Sequence, residues 1–594
     1  MNFKFRLLAL LLLVMMLFTS CSLDSIMQMI PGMGGGTTTT VTTTKKHPNI
    51  TTTTPKNDSD VEPESPRVAY STSKEEMLAK FTLTQEEIDN AMALLDKMLE
   101  GALPDPNSED KTVGKLTIDE VDTIYQEFET AFYHFAEQRT IATIIYYCDT
   151  SDTEASDRYL NTQDAFLDLN DKYNVTCREI YLNSPYSDEL FDGWTEEEKQ
   201  ALLDYDPTIM ALRKEIEELQ VEVDNLDDEA SDYNDKSTEL YVQIVTKNNQ
   251  LTSLYKDKDG NPKYDNYYDY ASENVYGRDY KAEDLAQFRQ YIVEYVVSNY
   301  EYIFNEFNQY QNLAYWQQKQ FVGFVLDPFD SLRTNYLDMY LNSLEGTMGE
   351  GMRDVFESKN CIFSDVDTSH PTAFCTYLYE SEIPFCLFGS SGQASTTVVH
   401  EIGHYYASYA NNDLGNYDLL ETHSQGNEYL FLNYVKDSLN AEVYECVRAY
   451  QLFNACCVMI MATIIDEFEQ EVYALESVEG MTSADFDAIM TKVCEKYGGA
   501  EWISENVSDP YEYWRMVAIS NPVYYISYAV SAVAATEIFY VAEEVGQAEA
   551  YEVYTTLVEG VTYEDGFLGA LEKAGLGSPF DEETYENIGV ILSK

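Results

Sequence analysis

The placement of three side chains around one glutamate limits what this chain can build. His400 and His404 lie four residues apart in the run Val398-Val399-His400-Glu401-Ile402-Gly403-His404, with Glu401 between them. On an α-helix, residues four apart share a face, so the two imidazoles can meet one metal ion. Glu421 follows 17 residues after His404 and offers a carboxylate as third ligand. A catalytic zinc site usually has three protein ligands and one open position. The chain must therefore fold a helix across His400 and lay a second, carboxylate-bearing helix against it. With six His in 594 residues, a chance pairing of two of them around a Glu is a poor explanation.

The spacing predicts a first helix from about Ser395 to Tyr409, a break at Asn411-Asn412-Asp413-Leu414-Gly415, and a second helix from about Asp418 to Val435. On the second helix Glu421, Ser424 and Glu428 fall at i, i+3 and i+7, on one face. Glu428 is then placed to accept a hydrogen bond from a ligand imidazole and fix its tautomer. His423 competes for the third ligand position, but it sits about 200° around the helix from Glu421, so both cannot face one ion. One zinc ion is expected. Zinc lowers the pKa of a bound water to about 7, and Glu401 is placed as its general base. A developing oxyanion needs a further donor. The run Asn521-Pro522-Val523-Tyr524-Tyr525-Ile526-Ser527-Tyr528 offers three hydroxyls, with Tyr525 and Tyr528 at i, i+3. By spacing alone these tyrosines suit a core as well as a site.

The amino terminus reads as an export signal. Lys4 and Arg6 precede an apolar run from Leu7 to Phe18, about a dozen residues and short for a membrane span. Phe18-Thr19-Ser20-Cys21 resembles a bacterial lipobox, which implies cleavage before Cys21 and lipidation of its thiol. Residues 22–72, rich in Thr, Pro and Gly, read as a tether that cannot bury enough apolar surface to order itself. The 104 acidic against 37 basic residues give a net charge of −67. Such a chain does not suit nucleic acid, and it contacts a membrane only through its lipid. The remaining nine Cys show no CxxC pair or regular spacing and read mostly as small buried hydrophobes.

From about residue 75 the pattern is helical. Thr84-Gln85-Glu86-Glu87 marks a helix start, Ile118, Val121, Ile124, Tyr125, Phe128 and Phe132 form an apolar stripe, and 196–256 reads as a long solvated helical hairpin. Asp284 is expected to cap a helix. Ala455–Ile465 is apolar but too short to span a bilayer, and reads as core. The runs 373–379 and 384–388 predict a β-hairpin, equally suited to packing and to pairing with an extended peptide.

Together these residues resemble the thimet oligopeptidase and oligoendopeptidase F family of zinc peptidases. His400-Glu401-Ile402-Gly403-His404 is similar to the family's H-E-x-G-H, and Glu421 to Glu428 to its E-x-x-S-x-x-x-E. Tyr276-Gly277-Arg278-Asp279-Tyr280 and Ala574-Gly575-Leu576-Gly577-Ser578-Pro579-Phe580 resemble the oligoendopeptidase F branch. The resemblance implies a mainly α, two-lobed fold with a deep central channel and a small β-hairpin or sheet beside the zinc helix. Domain 73–594 would divide into an N-terminal helical lobe, 73–350, and a catalytic part, 351–594, after the signal 1–21. It implies zinc on His400, His404 and Glu421, Glu401 as base, and Tyr528 with Tyr525 at the transition state. Ala373, Phe374 and Gly389 of the hairpin, with Asn521 and Tyr524, are the candidate substrate contacts. The implied activity is cleavage of internal bonds in short unstructured peptides by a monomer outside a bacterial cell. One departure stands out: the family has a His before the tyrosines, and this chain has none after His423. Asn521 stands nearby, and the alternative reading is a peptide-binding lipoprotein with weak catalysis.

Overall fold

Side-chain caps fix where the amino-terminal helices begin. A computed structural model describes residues 70–594, apart from short breaks at 108–109, 195–198, 201, 204–206, 225, 227–229, 258–259, 327–332, 365, 367, 370–372, 391–394 and 412–415. The signal, Cys21 and nearly all of the tether lie outside the described residues, as do 412–415 of the expected break. Helix α1 (Gln85–Ala102) opens with Thr84, whose hydroxyl accepts from the Glu87 N–H while the Glu87 carboxylate accepts from the Thr84 N–H at 2.8 Å. Helix α2 (Ile118–Cys148) opens with the same reciprocal pair, Thr117 and Glu120. With α3 (Thr153–Asn183) they enclose a separate apolar core around Phe128, Phe132, Phe166 and Tyr173. The expected stripe on α2 is buried there from Val121 to Phe132, and Phe128 stacks on Tyr173 at 5.4 Å.

The predicted helical hairpin is α4 (Pro207–Asp224) and α5 (Tyr233–Thr252). It is shorter than 196–256 and less solvated than its charge suggests: Ile216, Val223, Leu240, Tyr241 and Ile244 join the main core. Asp284 is not an N-cap. It is the first residue of the helix Asp284–Tyr291, and its carboxylate accepts from the Lys281 N–H at 2.8 Å, closing the preceding turn.

The hairpin is present, as β2 (Ala373–Leu378) and β3 (Ile383–Phe388), but the sheet has a third strand, β1 (Cys361–Phe363). The order is β1-β3-β2, with β1 parallel and β2 antiparallel to β3. One face, with Phe374, Leu378, Phe385 and Leu387, packs with Ile141, Ile144 and Ile145 of α2. The turn between β2 and β3 is also anchored on α2: the Glu137 carboxylate accepts from the Ser381 N–H at 2.6 Å and from its hydroxyl at 2.7 Å. β2 is thus a sheet edge held in place from behind.

Next come α6 (Ser395–Ala410), α7 (Tyr417–Tyr434) and α8 (Ala441–Tyr473). The run Ala455–Ile465 belongs to the 33-residue helix α8, so shortness is not what keeps it out of a membrane. Among the described residues, α8 is long and apolar enough to cross one, but 94% of its most apolar window is buried in the protein. It is the central core helix. Helices α9 (Pro510–Ser520), α10 (Ile526–Glu544) and α11 (Gln547–Glu559) complete the part around the site, with α10 lying against both α7 and α8.

Candidate metal centre

Close approach of α6 and α7 builds the site. A Cβ on Gly403 would lie 2.7 Å from Ser424 Cα and 2.8 Å from the His423 carbonyl oxygen, so only glycine lets the helices meet there. Asn427 fastens the crossing. Its amide donates to the Val399 carbonyl at 2.7 Å, and its side-chain oxygen accepts from the Tyr340 hydroxyl at 2.7 Å.

This crossing brings His400, His404 and Glu421 together, with one ligand atom from each inside a mutual 4.8 Å. Glu421 Oε2 lies 3.5 Å from His400 Nε2 and 3.7 Å from His404 Nε2. Ligands about 2.0 Å from a tetrahedral zinc lie about 3.3 Å from one another, so the arrangement fits such an ion with little movement. His400 and Glu421 are buried, and the His404 side chain is 18% exposed, on the open side.

His400 and Glu421 are each aimed by a neighbour. Glu428 Oε1 lies 2.8 Å from His400 Nδ1; a carboxylate can only accept, so Nδ1 carries the proton and Nε2 faces Glu421. The other oxygen of Glu428 accepts from the Gln451 amide at 2.5 Å. The Tyr524 hydroxyl donates to Glu421 Oε1 at 2.6 Å, leaving Oε2 for the ion. Ser424 donates to the Glu421 backbone carbonyl at 3.0 Å. Burial disfavours a charged His400, but Glu421 and Glu428 outweigh it and hold its pKa well above the usual range. Burial pushes His404 down to about 4. Burial also opposes a charged Glu421, yet the two imidazoles and Tyr524 hold its pKa low. A carboxylate and two imidazole nitrogens, converging and desolvated, form a donor set suited to zinc.

His423 turns away from the centre, with Nε2 3.2 Å from the Leu557 carbonyl, and burial lowers its pKa to about 3. Glu421 is the third member of the group.

A cleft of about 690 Å³, part of it open to solvent, is lined by His400, Glu401, His404 and Glu421 on one side and by Phe374 to Tyr377 and Tyr379 of the hairpin on the other. Ser408, Tyr417, Leu420 and Tyr528 complete the wall. Of the expected substrate contacts, Phe374 lies on it. Ala373 is fully buried, and neither it nor Gly389 is among the lining residues. Tyr524 is bonded to Glu421 instead of facing the cleft. Tyr525 is buried behind Tyr528, with ring centroids 5.5 Å apart, and is not among the lining residues. Asn521 also lies off the lining; its backbone closes a turn, donating to the Val517 carbonyl and accepting from the Tyr524 N–H.

The local backbone explains where the residues of the tyrosine segment lie. Val523 has φ 66, a left-handed conformation costly for a β-branched residue, by about 1–3 kcal/mol. A buried frame holds it. The Glu469 carboxylate accepts from the Val523 N–H at 2.7 Å, Arg278 donates to the Val523 carbonyl at 2.7 Å and to Ser527 Oγ at 3.0 Å, and the Tyr276 hydroxyl donates to the Pro522 carbonyl at 2.7 Å. The chain therefore turns between Asn521 and Ile526 before α10 begins. Arg278, Glu469 and Gln451 had no short-range signal, because their partners lie far along the chain.

Comparison by sequence finds no matching family model and no matching curated protein. Comparison by structure finds PZ peptidase A with an inhibitor at TM-score 0.63 and 18% identity, covering 86% of this chain and 98% of that one. A structure assigned provisionally as oligoendopeptidase F matches at TM-score 0.65 and 18% identity, covering 88% and 98%. Another such assignment, from Bacillus anthracis, matches at TM-score 0.59 and 17% identity, covering 86% and 95%. The chain has the mainly helical fold shared by these oligoendopeptidase F structures and PZ peptidase A.

Proposed function

We propose that the protein is a zinc-dependent endopeptidase cleaving internal bonds of short, unstructured peptides. The observation that carries this reading is the convergence of His400, His404 and Glu421 in a cleft that also presents Glu401. A zinc ion held by those three residues would supply a Lewis acid and make water acidic enough to attack an amide near neutral pH. Glu401 takes the proton of the attacking water and returns it to the leaving amine. Tyr528, on the cleft wall, donates to the oxygen that becomes negative. β2, as a sheet edge on the same wall, aligns an extended peptide by backbone pairing. An unfolded chain is the form that can lie extended along this edge. The export signal and lipobox support anchoring through Cys21 to the outer face of a bacterial membrane, with the tether as spacer, where the chain would act as a monomer.

A quenched peptide library tests the activity, with added zinc, with chelator, and with Glu401→Gln. Chelator-sensitive internal cleavage is expected, and Glu401→Gln should lower turnover about 10²–10⁴-fold while zinc still binds. Peptides that bind but are never cut in a chelator-sensitive way would leave a peptide-binding protein on this scaffold.

A further inference from the structure

The sheet register gathers three cysteines that the sequence scatters. Cys361 of β1 pairs with Cys386 of β3, and Cys375 of β2 pairs with the same Cys386. Paired residues of adjacent strands point to the same face, so the three thiols form one row. That face looks toward α6, where the Cys386 thiol donates to the Glu401 carbonyl at 3.7 Å.

The hydrogen bonding separates the two pairs. The Cys386 N–H donates to the Asn360 carbonyl, on the β1 side. In a strand, a residue's N–H and C=O point the same way, so Cys386 turns no backbone group toward β2. Cys375 and Cys386 are therefore a non-hydrogen-bonded antiparallel pair, whose Cα atoms lie about 4.5 Å apart with side chains close together. That spacing falls within the range of about 4.4–6.8 Å that a disulfide requires. Cys361 is engaged elsewhere, its thiol donating to the Tyr70 carbonyl at 3.4 Å. Among the nine described cysteines, Cys375 is the one not fully buried, and it lines the cleft.

We propose that Cys375 and Cys386 form a dithiol site in the cleft wall that reacts with small disulfides and closes a cross-strand bridge. Cys375 gives its proton to solvent and its sulfur attacks one sulfur of the incoming disulfide; that S–S bond breaks, a mixed disulfide forms on Cys375, and one thiolate leaves and takes up a proton. Cys386 then gives its proton to solvent, and its sulfur attacks the Cys375 sulfur and expels the second thiolate. Two protein thiols are oxidised, and one small disulfide is reduced to two thiols. Burial and the neighbouring Cys375 thiol raise the Cys386 pKa well above its usual value, so the second step is the slow one. The mixed disulfide at Cys375 occupies the cleft, and closure of the bridge clears it. This chemistry depends only on the sheet and stands apart from the proposed peptidase activity.

Oxidised glutathione is the probe, applied to the folded, reduced chain and read by intact mass. Digestion after Glu and Asp then cuts at Asp365, Asp367, Glu380 and Glu382 and separates the three cysteines onto different peptides. The wild type should lose two hydrogen atoms and yield a Cys375–Cys386 linked peptide. Cys386→Ser should stop at one glutathione on Cys375, and Cys375→Ser should react at neither position. Far-ultraviolet circular dichroism confirms that each variant is folded. A lasting wild-type adduct, a Cys361–Cys386 link, or no reaction at Cys375 while the protein is folded would each overturn the assignment.

Discussion

Replacing Tyr524 by Phe separates a role in holding the metal from a role in holding substrate. Tyr524 and Glu421 are both buried, and the phenol donates to Glu421 Oε1 at 2.6 Å. A hydrogen bond to a charged group contributes about 1.5–3 kcal/mol net. Full loss of such a bond converts to about 10–150-fold in an equilibrium constant. The bond also exists in the metal-free protein, where Glu421 is held by the imidazoles as well, so part of its worth cancels between the two states. The expected result is a zinc dissociation constant raised about ten- to thirtyfold, within the range of about 10–100-fold for partners of metal ligands. Zinc affinity is read by competition with a chromophoric chelator at fixed pH and salt, and kcat and KM for a quenched peptide are measured at saturating zinc. Since the hydroxyl faces Glu421, KM should stay within about twofold of wild type once the metal site is full. An unchanged zinc affinity with a KM raised tenfold would refute the reasoning and return Tyr524 to the substrate side.

Three further outcomes follow from the same geometry. Gly403→Ala forces a methyl group against Ser424 Cα and the His423 carbonyl, so it should lower unfolding stability by about 1–3 kcal/mol and weaken zinc binding together; a change in urea midpoint below the equivalent of about 0.5 kcal/mol would mean that the helices are not in the contact described. Burial raises the pKa of Glu469 well above its usual value, so between that usual value and the raised one the folded state keeps a proton that the unfolded chain has lost. Stability should then fall as pH rises through that window, by at most about 1.4 kcal/mol per pH unit for this group, and Glu469→Gln, whose amide oxygen still accepts from the Val523 N–H, should flatten the slope; a slope that Glu469→Gln leaves unchanged counts against the assignment. Removing zinc with a chelator, from a free concentration 100 times its dissociation constant, should cost about 2.7 kcal/mol of stability, and His404→Ala should abolish that difference.

The candidate metal group was legible in the sequence because helical periodicity decides which residues share a face on each of its two helices. Two residues four apart must share a face, and Glu421, Ser424 and Glu428 must line up on theirs, whatever surrounds them. His423 was correctly set aside by the same angle. Spacing left the tyrosine segment open between core and site, because helical periodicity does not carry across a break in the helix. Val523 at φ 66 turns the chain, α10 starts only at Ile526, and helical spacing says nothing about Tyr524 or Asn521. Burial, not length, keeps α8 in the core, and burial is a property of the assembled fold. The cysteine row, Gln451 on Glu428 and Arg278 on Val523 depend on strand register or on contacts across long stretches of chain, which no local pattern carries.

The side chains that line the cleft bear on the oxyanion donor of the proposed mechanism. A histidine there would add a donor that changes charge near pH 6.5. Beyond the metal group and Glu401, the polar side chains on the wall are the hydroxyls of Thr376, Tyr377, Tyr379, Ser408, Tyr417 and Tyr528, together with the Cys375 thiol. Burial raises Tyr379 and Tyr417 above the usual phenol range, so both keep their protons through neutral pH. A neutral phenol stabilises a developing oxyanion less than an imidazolium does, but its donor strength does not fade as pH rises through neutrality. Tyr379 and Tyr417 are thus fixed donors at neutral pH. On the proposed mechanism, the acid side of the pH dependence would then come from His400, His404, Glu421 and Glu401, where protons compete directly with a metal and with the base.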